Sequence, residues 1–407
     1  MENNNEILLK VEHLCQYFKM GPGFELKAVN DISFNIKKGE VFGLVGESGC
    51  GKTTTGRSIM KLYDATSGNV YFKGERIVAG TRSYQNAIKT AKNDFKAFCK
   101  TSTDKLEIEK KRAETEKIVL AQRQLIKEAR FDHLNCDKVY SRKLVDKLND
   151  EYLPQIDAAQ SDAEKAKLTT EYKEKVRLAK KERLINEIQM IFQDPIASLD
   201  PRMTVRDIIS EGLIIKGVKD KKYINDQVNT ALEQVGLVRE HADRYPHEFS
   251  GGQRQRIGVA RSIIMRPELI VADEPVSALD VSIQAQVINL LNDLRKELGL
   301  TIMFIAHDLS VVKYFSNRIA VMYYGNLVEL TTSNELFLNP LHPYTRSLLS
   351  AIPLPDPIYE KTRKRIVYNP IADHDYTKEK PILREIKEGH FILCNTEEFE
   401  RYKKELK

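Results

Sequence analysis

The first forty residues alternate between apolar and polar positions. Ile7-Leu-Leu-Lys-Val11 and Phe34-Asn-Ile36 carry the two-residue period of strands with one buried face. Val41-Phe-Gly-Leu-Val45 is instead a continuous apolar run between Gly39 and Gly46. A short run of that kind predicts a strand buried on both faces that feeds a loop. Residues 53–63 then predict a helix, and Gly68-Asn-Val-Tyr-Phe72 a returning strand. Further on, Ile188-Gln-Met-Ile-Phe192, Leu269-Ile-Val-Ala272 and Thr301-Ile-Met-Phe-Ile-Ala306 predict short buried strands. Residues 194–260 read as mainly helical, and 283–298 predict a helix between the last two strands. Strands and helices in alternation predict an α/β fold on a mostly parallel sheet.

From about 77 to 184 this pattern stops. Gly and Pro almost vanish, Lys and Glu dominate, and helix formers fill 104–131 and 158–188. Two or three long helices are expected, with breaks at Pro154 and near Asn135. The apolar spacing (Ile118, Leu125; Leu144, Leu148) is too irregular for a sustained heptad repeat. Charge-rich helices are usually solvated faces, which favours an insertion without catalytic role over a docking arm. Beyond about 339, prolines at 340, 343, 353, 355 and 357 predict a departure from the core into a tail.

Composition narrows the picture little. Lys and Arg total 64 against 58 Asp and Glu, a net +6 spread over 407 residues without a compact basic block. That gives no nucleic-acid footprint. The length suffices for one large domain or two ordinary ones. Cys15, Cys50, Cys99, Cys136 and Cys394 are isolated, which predicts a reducing compartment without disulfides or a zinc site. The start Met1-Glu-Asn-Asn-Asn-Glu lacks a charged-then-apolar leader pattern, and no apolar run approaches the roughly 18 residues of a spanning helix. A soluble chain that meets a membrane only through partners is expected.

The chemistry is carried by a few motifs. Gly46, Glu47, Ser48, Gly49, Cys50, Gly51, Lys52 and Thr53 match the G-x-x-x-x-G-K-[ST] phosphate loop, between a predicted strand and a predicted helix. Its backbone N–H groups can turn around an anion at a helix N-terminus. Lys52 would reach the β- and γ-phosphates, and the Thr53 hydroxyl would ligate Mg²⁺. Asp273 and Glu274 end a buried strand. Asp273 is the expected Mg²⁺ partner, and Glu274 is placed to orient or deprotonate an attacking water. Taken alone, the pair could be a solvent-exposed strand end; beside a phosphate loop that is the minority reading. Gln193 and His307 each follow a buried strand, where Gln193 could sense Mg²⁺ or water and His307 could contact the γ-phosphate, with Asp308 or a backbone group fixing its tautomer. A lone histidine is more often structural. Ser250, Gly251, Gly252 and Gln253 open a predicted helix with Ser250 as N-cap. That is a second possible anion site, though by itself an ordinary cap.

The order of phosphate loop, Gln193, Ser-Gly-Gly-Gln, Asp273-Glu274, Ser277-Ala-Leu-Asp280 and His307 resembles an ATPase subunit of ABC transporters. The wording Phe192-Gln-Asp-Pro-Ile-Ala-Ser-Leu-Asp-Pro-Arg-Met203, Tyr245-Pro-His-Glu-Phe-Ser-Gly-Gly-Gln-Arg-Gln-Arg256, Asn339-Pro-Leu-His-Pro-Tyr-Thr-Arg-Ser-Leu-Leu349 and Ile352-Pro-Leu-Pro-Asp-Pro357 resembles the oligopeptide/dipeptide importer branch, F-type subunit. The resemblance implies an ABC-type P-loop ATPase core. It has a mostly parallel sheet, antiparallel strands on the N-terminal side and a helical subdomain. The implied segments are 1–76 (core with phosphate loop), 77–185 (charged helical insertion), 186–338 (rest of the core) and 339–407 (C-terminal extension). One ATP with Mg²⁺ would be held by the phosphate loop through Thr54, with Thr53, Gln193 and Asp273 at the metal and Glu274, His307 and Gln193 catalytic. Phe18, or Tyr17 beside it, would stack on adenine. Ser250, Gly251, Gly252 and Gln253 would complete the nucleotide of a partner, with Asp280 along the dimer seam.

The implied partners are a D-type ATPase subunit, two transmembrane permease subunits and, indirectly, an extracellular peptide-binding protein, with no nucleic acid. The implied location is the cytoplasmic face of the membrane, and the implied function is to energise oligopeptide uptake. Two departures stand out. The insertion of roughly 90 residues is far longer than this branch normally carries there. The segment ending Gly-His390-Phe-Ile-Leu-Cys394 resembles the end of a cysteine-rich iron–sulfur segment, but one thiolate cannot hold a cluster that takes four, so none is expected. Two other readings compete. A soluble ABC ATPase of DNA repair or translation would not carry the 339–357 tail. A nucleotide-gated docking subunit with little hydrolysis is disfavoured by intact Glu274 and His307.

Overall fold

The computed structural model describes residues 6–159, 161–277, 279–352 and 365–406. The extreme N-terminus, Ala278 of the 277–280 loop and the Pro-rich motif at 353–357 lie outside them. Two sheets form the centre. The smaller is antiparallel, in the order β2 (Phe24–Lys37), β1 (Ile7–Gly21), β4 (Ser67–Phe72), β5 (Glu75–Thr81). The larger has eight strands, β11 (Ile382–Lys387), β12 (His390–Cys394), β10 (Asn326–Thr332), β9 (Arg318–Tyr323), β3 (Val41–Val45), β8 (Thr301–Ala306), β7 (Leu269–Asp273) and β6 (Ile188–Ile191). From β9 through β6 neighbouring strands pair in parallel.

The continuous apolar runs follow from two-sided burial. Side chains alternate across a strand, so a strand covered on both faces must be apolar at every position. Val41 and Val45 of β3, Ile270 and Ala272 of β7, and Ile302 and Phe304 of β8 enter one core, which also holds helices α5 (Val205–Ile215) to α9 (Leu309–Phe315). Phe42, Leu44, Val271, Met303 and Ile305 enter the other, shared with the antiparallel sheet and with Ile59 of α1 (Lys52–Ile59). On α1, an added Cβ at Gly56 would stand 3.0 Å from Ile305 and Val271, so this helix lies directly on β7 and β8. It ends at Ile59 rather than at 63, and Lys61 just beyond has a positive φ of 58°.

The charged region differs from expectation in its breaks. β5 runs to Thr81, so the segment expected from 77 opens with a strand. The helices are α2 (Arg82–Thr101), α3 (Lys105–Ala158) and α4 (Asp162–Ala179). Helix α3 runs 54 residues straight through Asn135 and Pro154. Proline removes one backbone bond and crowds the preceding turn. Here Tyr152 and Ile156 are buried on either side of it, and the Tyr152 hydroxyl donates to Glu171 of α4 at 3.0 Å, so packing overrides the local preference. The helical stretch expected to reach 188 stops at Ala179, before β6.

Among its described residues the tail does not leave the core. Its two strands, β11 and β12, extend the large sheet through antiparallel pairing of β12 with β10. Between them and β10 lies α11 (Pro343–Ser350), and the helix Thr396–Glu405 follows β12. The Glu329 carboxylate on β10, wholly buried, accepts the Leu341 and His342 N–H groups at 2.9 and 3.0 Å and the His390 Nε2–H at 2.8 Å.

Candidate active site

The phosphate loop joins β3 to α1 at the end of the parallel strands. Its turn depends on two glycines. Gly46 has φ 152° and a Cβ there would lie 2.2 Å from the Met322 carbonyl oxygen; Gly51 has φ 105° and would meet Ala28 O at 2.0 Å. Both positions therefore exclude any side chain. Glu47, Ser48 and Gly49 are exposed at the tip, Cys50 is buried, and Thr53 and Thr54 are half-buried. Burial pushes the Cys50 thiol pKa up. Lys52 is only 3% exposed, and its ammonium donates to Gly46 O at 2.7 Å and Glu47 O at 2.9 Å.

Two clusters form beside the loop. In the first, the Thr53 hydroxyl donates to Asp273 Oδ1 at 2.7 Å. Asp273 is 1% exposed; burial raises its carboxyl pKa, opposed by the Thr53 bond, and its Oδ2 is buried with no hydrogen-bond partner. In the second, one oxygen of Glu274 takes two neighbours: Gln193 Nε2 donates to Oε2 at 3.1 Å, and His307 Nδ1 lies 3.0 Å from the same atom. An ionised carboxylate only accepts, which puts the proton on Nδ1. Glu274 sits at φ 43°, a strained conformation for a non-glycine residue, and its N–H donates to Ile305 O at 3.0 Å. This kink lets two successive carboxylates at the strand end face one side. The sequence offered Asp308 or a backbone group as the partner of the His307 ring, but Glu274 takes that place, while the Asp308 carboxylate caps α9 by accepting Ser310 N–H at 2.7 Å.

The remaining residues stand apart from these clusters. Ser250 and Gln253 form a reciprocal cap at the start of α7 (Gly251–Ile263): Gln253 N–H donates to Ser250 Oγ at 3.3 Å and Ser250 N–H to Gln253 Oε1 at 3.0 Å. Helix α7 packs on α5, α6 (Lys221–Gln234) and β6. Asp280 precedes α8 (Val281–Leu298), is exposed, and makes no side-chain cap. Tyr17 donates its hydroxyl to Asn30 Oδ1 at 2.7 Å, with Lys27 Nζ and the Arg82 guanidinium 5.6 and 5.7 Å from its ring centre. Phe18 meets Tyr63 edge-on at 5.3 Å. Sequence reasoning missed the contact that the tail makes with the loop. The Tyr344 hydroxyl of α11 accepts the Glu47 N–H at 3.0 Å across 297 residues.

A phosphate loop, a strand-end acidic pair, and a glutamine and histidine gathered on the second acid define a P-loop ATPase cassette. The chain belongs to the ABC transporter family, whose pattern it matches over residues 29–145 and 156–277. Residues 328–378 match the C-terminal region of oligopeptide/dipeptide transporters. It is 46% identical to the oligopeptide transport ATP-binding protein OppF of Bacillus subtilis, over 98% of this chain and 99% of that one. It is 40% identical to the dipeptide transport ATP-binding protein DppF of Lactococcus lactis, over 98% and 97%. Among solved structures, the ADP- and phosphate-bound dimer of the ATP-binding cassette MJ0796 shares the fold, with a TM-score of 0.50 at 20% identity over 80% of this chain and 99% of that one. This chain is therefore an ABC ATPase of a membrane transporter. Among the described residues no helix is long and apolar enough to cross a membrane.

Proposed function

We propose that this chain hydrolyses ATP to energise oligopeptide uptake, paired with a D-type ATPase subunit on two transmembrane permease subunits that an extracellular peptide-binding protein supplies. The observation that carries the catalytic half is the convergence of Gln193 and His307 on one oxygen of Glu274. The relatives' names and the match at 328–378 support the peptide half. In this reading the protein is held at the cytoplasmic face of the membrane by the permease subunits.

The phosphate-loop amides, from Gly46 to Thr54, take the phosphates, and Lys52 exchanges its loop carbonyls for phosphate oxygens. Glu274 orients and deprotonates the attacking water, held by Gln193 and His307. Phe18 is the better adenine platform, since the Tyr17 ring and hydroxyl are already engaged. Mg²⁺ fits the donor set: Asp273 Oδ2 is a buried, unpartnered oxygen beside the Thr53 hydroxyl, and Gln193 adds an amide oxygen. When bound, the ion neutralises charge developing on the phosphates. Ser250, Gly251, Gly252 and Gln253 close on the nucleotide of the partner ATPase, with Asp280 on the seam between them. We read no iron–sulfur cluster into the tail: Cys394 is its lone thiol, and burial pushes that thiol up to about 12.

The test compares ATP turnover by the chain alone, with the D-type partner, and with the permease pair, for wild type and Glu274→Gln. Turnover is expected to be low alone and to rise on assembly. Glu274→Gln is expected to lose about 100-fold or more in rate while still binding ATP. Full activity of the isolated chain, indifferent to the permease but raised by DNA or ribosomes, would sink this reading.

A further inference from the structure

The phosphate loop is exposed at its tip, so its shape must be imposed from outside. One brace is the turn between β9 and β10, where Gly325 N–H donates to Cys50 O at 2.9 Å. The other comes from the tail, through the bond from Glu47 N–H to the Tyr344 hydroxyl. The Glu47 N–H and the Gly46 carbonyl belong to one planar peptide unit and, in the trans form, point in opposite directions; the described chain has no cis peptide bond. The Gly46 carbonyl accepts from Lys52 at 2.7 Å. Tyr344 and Lys52 thus grip the two ends of a single peptide plane.

The Tyr344 hydroxyl is itself held firmly. The residue is 1% exposed, and its ring lies 4.5 Å from Tyr323 and 5.5 Å from Tyr368. Its own N–H donates to His342 Nδ1 at 3.1 Å, and the residues just before it hang on Glu329. We propose that Tyr344 is a positioning residue of the nucleotide site: it fixes the 46–47 peptide plane, and through it Lys52, so that the C-terminal region sets ATP affinity. Without the hydroxyl, that plane keeps only its contact with Lys52, the Glu47 N–H loses its acceptor, and the Lys52 ammonium loses a fixed starting point for meeting phosphate.

This rests on the ATP reading of the loop, which wild-type ATP binding tests separately. The experiment uses the full-length chain and, for turnover, the assembled transporter. ATP affinity, KM and kcat are measured for wild type, Tyr344→Phe and Tyr368→Phe, together with thermal unfolding in the absence of nucleotide. Tyr344→Phe keeps the ring and its packing. It is expected to weaken ATP binding and raise KM about five- to twenty-fold, with kcat within about two-fold. Tyr368→Phe, in the same ring cluster but not bonded to the loop, is expected to keep wild-type affinity. Unchanged affinity in Tyr344→Phe overturns the proposal. So does an equal loss in both variants, which would mark a general loosening of the cluster, and so does a loss confined to kcat.

Discussion

The charged helices at 82–179 and the tail from 339 onward flank the same ATPase core but are joined to it differently. Helix α2 buries none of its residues, α4 buries only Ala179, and α3 buries six in 54. Their links to the core are mainly polar and partly exposed, Arg76 of β5 to Asp132 at 2.6 Å, Lys143 to Glu75 and Tyr140 to Glu187, with Cys136 of α3 as a buried apolar contact to the second core. The tail joins by strand pairing and by a buried polar set, with Glu329 and His390 at 0% and 1% exposure. Surface ion pairs contribute little and are screened by salt, whereas a buried charge with several partners is costly to disrupt. The tail should therefore behave as part of the catalytic core, and the helices as a loosely coupled attachment.

The sharpest way to break that contrast is Glu329→Ala, which strands two backbone donors and His390 in the interior. It is expected to destabilise the full chain by about 3–5 kcal/mol in denaturant unfolding. A near-neutral result would mean the tail is not integral.

A middle-sized effect comes from pH. Burial, then the charges of His374 and Arg346, push the His342 pKa down to about 3 from 6.5. In the unfolded chain His342 takes a proton below about 6.5, while in the folded chain it stays neutral down to about 3. The unfolded state binds the extra proton, so stability falls as pH drops through this window, by up to about 1.4 kcal/mol per pH unit from this group. His342→Asn is expected to flatten the difference between unfolding midpoints at pH 7 and pH 5.

The smallest effect is expected at the helices. Asp132→Asn should cost under about 1 kcal/mol and less in high salt. It should leave the KM for ATP unchanged; a raised KM would show that the helices reach the site after all.

The same contrast separates what sequence could and could not disclose. The strands β3, β7 and β8 were legible because burial on both faces leaves an unbroken apolar signature. The Ser250 cap was legible because a helix start needs local acceptors that the adjacent residues supply. Strands β11 and β12 were not flagged: Ile382-Leu-Arg-Glu-Ile-Lys387 is an edge strand with polar residues on its open face, which reads as loop. Pro154 was misread because a local penalty was weighed without the packing of Tyr152 and Ile156. The role of Tyr344 could not be read at all, since it exists only once the chain has returned to the phosphate loop.

Cys99 alone of the five cysteines is exposed, and it lies on α2. The native chain therefore comes with a single reactive handle. A maleimide dye should mark the charged helices alone while the fold is intact, and all five thiols after unfolding. Fluorescence from that one position can follow the attachment's motion during turnover without any engineered cysteine.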